Sequence, residues 1–137
     1  MIAAERQISH APERVFEFLS DLRNHWKLEE RFLELEDMGE SGGVMRLRGP
    51  LGLSRRAETR VVEAVEPRRL SGRADLRGGT VGLVVWEIAP RDGGSRVRIE
   101  AEVPHAWLPD RIFLAVGGRR WFTNLFARAL ANLEREL

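Results

Sequence analysis

The chain contains no cysteine and no tyrosine, and Lys27 is the one lysine among its 22 basic residues. The missing cysteine excludes disulfides and a thiolate zinc site. It also removes any thiolate nucleophile. Net charge is +1, with 21 acids against the 22 bases, so the chain lacks the one-sided charge of a polyanion binder and no nucleic-acid partner is expected. No apolar run approaches the length needed to span a bilayer. Met1 to Gln7 lacks the hydrophobic stretch of a signal peptide, and a cytoplasmic location is the resulting expectation. Asn and Gln are scarce, and arginine replaces lysine almost throughout. A GC-rich genome or a hot habitat produces that usage, and composition does not separate the two. Repeats and low-complexity linkers are also lacking. At 137 residues the chain reads as one domain, 1–137, large enough to bury a core without staples.

What is present is one long amphipathic segment at the C-terminus. From Arg119 to Leu137, apolar residues fall at Phe122, Leu125, Phe126, Ala129, Leu130, Leu133 and Leu137, the spacing of one helical face. Arg120, Asn124, Arg128 and Arg135 fall opposite, and no Pro or Gly interrupts. A helix of that length spans about 28 Å. Its apolar side must be covered, and the chain before it is strand-like, so a sheet is the cover.

In chain order, Ile2–Ser9 reads as a first strand. Pro12 and Glu13 then suit the first turn of a helix that carries Val15, Phe16 and Leu19 and stops near Ser20. Asp21 caps a second short helix to Trp26. From Arg31 the period becomes two. Strands are predicted at Arg31–Met38, with a bulge near Phe32, and at Val44–Gly49, Arg55–Val65, Leu70–Arg77, Thr80–Ala89 and Ser95–Val103. Turns fall at Gly39–Gly43, Pro50–Gly52, Gly78–Gly79 and Pro90–Gly94. The last strand alternates most cleanly, with Val97, Ile99, Ala101 and Val103 opposite Arg96, Arg98, Glu100 and Glu102. One dry and one charged face, repeated, means an antiparallel sheet covered on one side. Trp107 to Val116 is apolar but irregular, with a helical turn starting at Pro109. Gly117–Gly118 allows a kink or hinge before the long helix.

The order is therefore strand, two short helices, six strands, long helix. That order resembles the helix-grip superfamily (SRPBCC), which includes START-like domains, plant pollen-allergen-like proteins and bacterial polyketide cyclase/dehydrase-type proteins. The resemblance is carried by Ile8-Ser9-His10-Ala11-Pro12-Glu13-Arg14-Val15-Phe16, by Leu19-Ser20-Asp21-Leu22, and by Trp86-Glu87-Ile88-Ala89-Pro90 with Gly94-Ser95-Arg96-Val97. It implies an α+β helix-grip fold, in which a curved antiparallel seven-stranded sheet (β-α-α-β6-α) wraps the C-terminal helix and leaves a cavity between them. It also implies a hydrophobic small molecule or lipid as partner.

The function expected is binding, and with it transport, of such a ligand. The alternatives are an enzyme of the cyclase/dehydratase type and a protein-interaction module, and fold likeness does not choose among them. Trp26, Thr59, Trp86, Ile99, Phe113, Phe122 and Phe126 are the expected cavity residues. Trp107 and Trp121 are expected at its rim. No catalytic residue is assigned. His25, beside Trp26 near the presumed mouth, reads as a surface or capping histidine or as a proton-transfer group at the ligand. Glu87 would be a general base if it pointed inward, but Trp86 and Ile88 hold the inward phase. Asp21 and Asn24 could line the mouth, and capping accounts for Asp21. His10, His25 and His105 are not at metal-ligand spacing with any carboxylate. With no phosphate loop, nucleophile elbow or triad order, no metal and no cofactor are expected.

Overall fold

A computed structural model describes residues 1–50 and 53–137. Seven strands form one antiparallel sheet. They are β1 (Ile2–Ile8), β2 (Leu33–Met38), β3 (Gly42–Arg48), β4 (Ser54–Val65), β5 (Arg69–Leu76), β6 (Val81–Arg91) and β7 (Gly94–His105). Their spatial order is β1-β7-β6-β5-β4-β3-β2, so strands two to seven follow one another as hairpins and β1 joins the far edge beside β7. Helix α1 (Pro12–Ser20) and a 3-10 helix (Leu22–Leu28) connect β1 to β2. Helix α2 (Leu108–Phe113), a π turn (Leu114–Gly118) and helix α3 (Arg119–Glu136) close the chain; together these three pieces run 29 residues. This is the α+β helix-grip architecture.

The alternation in β7 sorts the sheet. Val97, Ile99 and Ala101 are buried on the concave face, while Arg98 pairs with Glu100 and Glu5 on the convex one. Cross-strand register carries the concave phase along the sheet. Ile99 pairs with Trp86, Trp86 with Leu70, and Val61 with Gly72. The core gathers at one end: Ile8, Val15, Phe16, Leu19, Trp86, Ile88, Val97 and Ile99 pack with Ala129, Leu130 and Leu133 of the second half of α3. At about 25 cal/mol per Å² of apolar surface, that cluster supplies the main favourable term in folding.

Polar ties fix the same end. The Asn132 amide donates to the Leu28 carbonyl at 2.6 Å, and the Ser9 N–H donates to the Glu134 carboxylate at 2.8 Å. The buried Ser95 hydroxyl donates to the His10 carbonyl at 2.6 Å. The connector is capped as its sequence directs. Pro12 opens α1, and Asp21 accepts from the Arg23 N–H at 3.0 Å.

Several boundaries differ from the sequence reading. Pro90 and Arg91 are not loop but strand, paired with Ser95 and Gly94. The β6–β7 turn is only Asp92–Gly93, at φ 49° and 80°, the two positive values a type I′ hairpin needs. Gly42 and Gly43 belong to β3 rather than the turn. The irregularity in β2 lies between Leu35 and Asp37, not at Phe32, and that strand starts at Leu33. Of the turn expected at Pro50–Gly52, Leu51 and Gly52 lie outside the described residues. No helix among the described residues is long and apolar enough to cross a membrane.

Candidate functional site

The packed core stops partway along the sheet. Beyond it, the concave face includes a run of small side chains. Ala57 and Thr59 of β4 pair with Leu76 and Ala74 of β5, Val61 pairs with Gly72, and Ala74 pairs in turn with Gly82 of β6. A side chain begun at Gly82 would meet only the Ala74 methyl, at 3.9 Å. Ala57, Thr59, Gly72, Ala74 and Gly82 cannot reach far from the sheet.

On the same face of α3 as the buried Ala129, Leu130 and Leu133 stand Phe122 and Phe126, at four-residue spacing. They are half-buried. Aromatic edges run continuously here: Phe126 to Phe122 at 6.3 Å, Phe122 to Phe113 at 6.3 Å, Phe122 to Trp121 at 4.9 Å, and Trp121 to Phe32 at 5.4 Å between ring centroids. Aromatic rings thus line this half of α3, and small residues are concentrated on one stretch of the sheet.

The seven residues expected to line a cavity divide by environment. Trp86 and Ile99 are buried in the packed core. Phe126, with Val61 and Val84, packs against the edge of that core. Thr59, Phe113 and Phe122 are half-buried. Trp26 lines a pocket of about 410 Å³ at the β2 edge, with Leu33, Leu35, Glu30, Glu34 and Arg48. Leu33 and Leu35 hold the inward phase there, paired with Leu47 and Met45, and the Glu34–Arg48 ion pair sits on the pocket's rim. Trp121 is half-buried among the aromatics, whereas Trp107 is exposed.

His25 is a titratable group set against the packed core. Its ring meets Trp86 edge-on at 6.0 Å, and Nε2 lies 2.7 Å from the Leu19 carbonyl oxygen. A carbonyl cannot donate, so Nε2 carries the proton and neutral His25 has its lone pair on Nδ1. Burial of the ring pulls its pKa below the usual histidine value, against the opposing pull of the Leu19 carbonyl and Asp21. Asp21 itself is held below the ordinary carboxylate range by its hydrogen bonds to Arg23. Asn24 donates to the Phe18 carbonyl at 3.0 Å, which accounts for it structurally. Glu87 is exposed. It sits on the convex face between Arg69 and Arg98 in register.

Two polar features escaped the sequence reading. Glu29 is only 4% exposed and accepts from Arg128 Nε at 3.3 Å. Burial pushes its carboxyl pKa up, with Arg128 opposing, and the Arg128 guanidinium also lies 5.2 Å from the Phe32 ring centroid. The second is a cluster at the other end of the sheet. Asp110 of α2 pairs with Arg55 of β4 and accepts from the Thr80 hydroxyl, and that hydroxyl accepts from the Trp107 N–H at 2.9 Å. Both features join residues distant in sequence, so no local pattern announces them. Among the described residues, no group of three or more His, Asp or Glu is placed to hold a metal.

Residues 2–137 match the family described as polyketide cyclase / dehydrase and lipid transport. The chain belongs to that family. None of the curated proteins matches it. Among solved structures it resembles TTHA0849 of Thermus thermophilus, with TM-score 0.73 and 19% identity over 98% of this chain and 94% of that one. It also resembles MLL2253 of Mesorhizobium loti, with TM-score 0.64 and 22% identity over 98% and 96%. DynU16, from the dynemicin biosynthetic locus, aligns at TM-score 0.63 and 17% identity over 98% of this chain and 45% of its own. At such identities these likenesses speak for the fold alone.

Proposed function

We propose that the protein binds a hydrophobic small molecule or lipid in the hollow between the far half of the sheet and the first half of α3. The observation that carries this reading is the uneven filling of the interior. Large side chains close the end at Trp86, Ile88 and Leu130, yet Ala57, Thr59, Gly72, Ala74 and Gly82 follow one another across β4, β5 and β6, and Phe122 and Phe126 of α3 stay only half-buried. A sheet selected only for stability would carry larger residues there, because each buried methylene contributes about 0.8 kcal/mol. Family membership supports the same reading, since lipid transport is part of the family's description. The polar-rimmed pocket at Trp26 is the entrance on this view.

The test is a fluorescent hydrophobic probe with the Gly82→Ile variant. Gly82 has room for a side chain, so the variant folds and fills the hollow. Probe affinity falls at least about tenfold, which is the effect of blocking a shape-defined apolar site. Unchanged affinity in the folded variant refutes the site. Native mass spectrometry of gently purified protein identifies the ligand class.

The enzyme reading of the cyclase/dehydratase type is favoured by one observation, His25. A neutral imidazole with one nitrogen committed to Leu19 and a lone pair on the other is built to accept a proton or a hydrogen bond. If it acts on the ligand, His25→Gln abolishes conversion of a polyketide-like substrate while leaving probe affinity intact. No conversion by the unaltered protein removes this reading.

A further inference from the structure

Helix α2 and the π turn are amphipathic the wrong way round. Asp110, Phe113 and Leu114 turn toward the protein, and the outward face carries Leu108, Ile112 and Val116, spaced by four; at its head the part-exposed Trp107 ring lies against Gly78. Trp107 is 48% exposed, Leu108 62%, Ile112 54% and Val116 77%. Most other large apolar side chains are covered; these four form a run on one short segment. A solvated face seldom exposes such a patch without a partner.

The charge around the patch has one sign. Residues 106–120 contain Arg111, Arg119 and Arg120 and a single acid, Asp110. Asp110 is turned away, paired with Arg55 and Thr80. Arg111, Arg119 and Arg120 are exposed, and among the described residues none of the three has an acidic side chain within ion-pair distance. Arg111 and Arg119 share with His105 a groove of about 600 Å³ beside the apolar run.

We propose that this corner docks on an anionic lipid bilayer surface. Apolar side chains at a helix surface enter the interfacial layer, and arginines alongside them meet lipid phosphates. A second copy of the chain fits the face less well. A two-fold contact through it would bring both sets of unpaired arginines together. The Asp110–Arg55–Thr80 cluster holds the segment on the sheet, so the apolar face is presented by a braced element rather than a loose loop. The inference does not depend on what the hollow binds.

The test is co-sedimentation of the full chain with vesicles of phosphatidylcholine alone, and of phosphatidylcholine mixed with phosphatidylglycerol, at low and high salt. The protein partitions to the mixed vesicles, and high salt releases it. At about 1 kcal/mol for each basic side chain at an anionic surface, the Arg111→Gln/Arg119→Gln variant loses about 30-fold in partition coefficient. Ile112→Asp/Val116→Asp loses at least about tenfold through the apolar term. Both pairs are exposed, and circular dichroism verifies folding. Absence of binding, equal binding to neutral and mixed vesicles, or variants that bind like the parent overturns the proposal. So does a concentration-dependent dimer that Ile112→Asp dissolves, which would give the face to a second copy. Probe binding in the hollow is measured on the same variants and keeps the parent value, so failure of the docking inference and failure of the ligand-binding reading give different results.

Discussion

Adding one methyl group at the α2–α3 corner distinguishes two glycines that look alike in sequence. Gly117 has φ 130° and ψ −5°, and a Cβ there meets nothing within 4 Å. Gly118 has φ −61°, which any residue adopts, but its Cβ would stand 2.7 Å from Cδ2 and Cε2 of Phe113 and 2.7 Å from the Phe113 carbonyl oxygen. Gly117→Ala is therefore a backbone penalty, about 1–2 kcal/mol for a side chain at positive φ. Gly118→Ala is a steric penalty of about 1–3 kcal/mol. The Phe113 ring cannot simply retreat, since Trp121 and Phe122 stand at 6.2 and 6.3 Å from it. With an unfolding entropy of about 2.1 cal/mol/K per residue over the 137 residues, a 2 kcal/mol loss lowers Tm by about 7 °C. Similar shifts from two mechanisms are separated by a double-mutant cycle with Phe113→Leu, followed by thermal and urea unfolding. The smaller leucine recovers part of the Gly118→Ala loss, with a coupling of about 0.5–1.5 kcal/mol, and none of the Gly117→Ala loss. Zero coupling at Gly118, or equal coupling at both glycines, would refute the assignment of one glycine to packing and the other to backbone conformation.

Three further outcomes follow from the same structure. Phe126→Asp sets an unpaired carboxylate against the buried core cluster and unfolds the domain at a cost of about 3–5 kcal/mol, read as lost cooperativity in thermal melting. Ser95→Ala leaves the His10 carbonyl without its buried donor and lowers unfolding free energy by about 1–3 kcal/mol in urea titrations, with an unchanged m value. His25 makes stability depend on pH. Its folded pKa lies below the ordinary value of 6.5, so the unfolded chain binds the proton first. Its contribution is full above pH 6.5 and is lost as pH falls toward the depressed folded pKa, with a slope of at most about 1.4 kcal/mol per pH unit. His25→Gln flattens that part of the profile; a profile unchanged by the substitution would remove His25 as its source.

Much of the architecture could be read from residue order because local rules and tertiary packing agree along most of the chain. The alternation Val97-Ile99-Ala101 set one face of β7, and the spacing Phe122–Leu133 set one face of α3. Pro12 and Asp21 marked the starts of the connector helices. Reading was weaker where a short turn hides inside a proline- and glycine-containing stretch. Pro90 suggested a loop, yet its missing N–H costs little near a strand end, and Asp92-Gly93 alone makes the turn. The interior was legible only in outline. Phase separates inward Trp86 from outward Glu87, but says nothing about which inward residues fill the core and which leave space. That depends on side-chain size across several strands at once, as in the run from Thr59 through Ala74 to Gly82. Glu29 with Arg128, and Asp110 with Arg55, are pairings between distant segments. They become visible only when the sheet has brought them together.

The position of β1 shapes how the chain reaches this structure. Its hydrogen-bonded neighbour is β7, with Ile2 opposite Ala101 and Ile8 opposite Ser95, so the first of the seven strands has to wait for the last. At synthesis rates of about 5–20 residues per second, the wait is roughly 5–20 s. Through that interval hairpins β2–β3 through β5–β6 form from near neighbours, while β1 and the α1 side of the core stay unassembled. Closing so long a span before its contacts are gained slows the final step. On the ribosome the nascent chain therefore carries the open edge of β6 beside uncovered Trp86 and Ile88, and a chaperone that holds unfolded segments has its clearest client there.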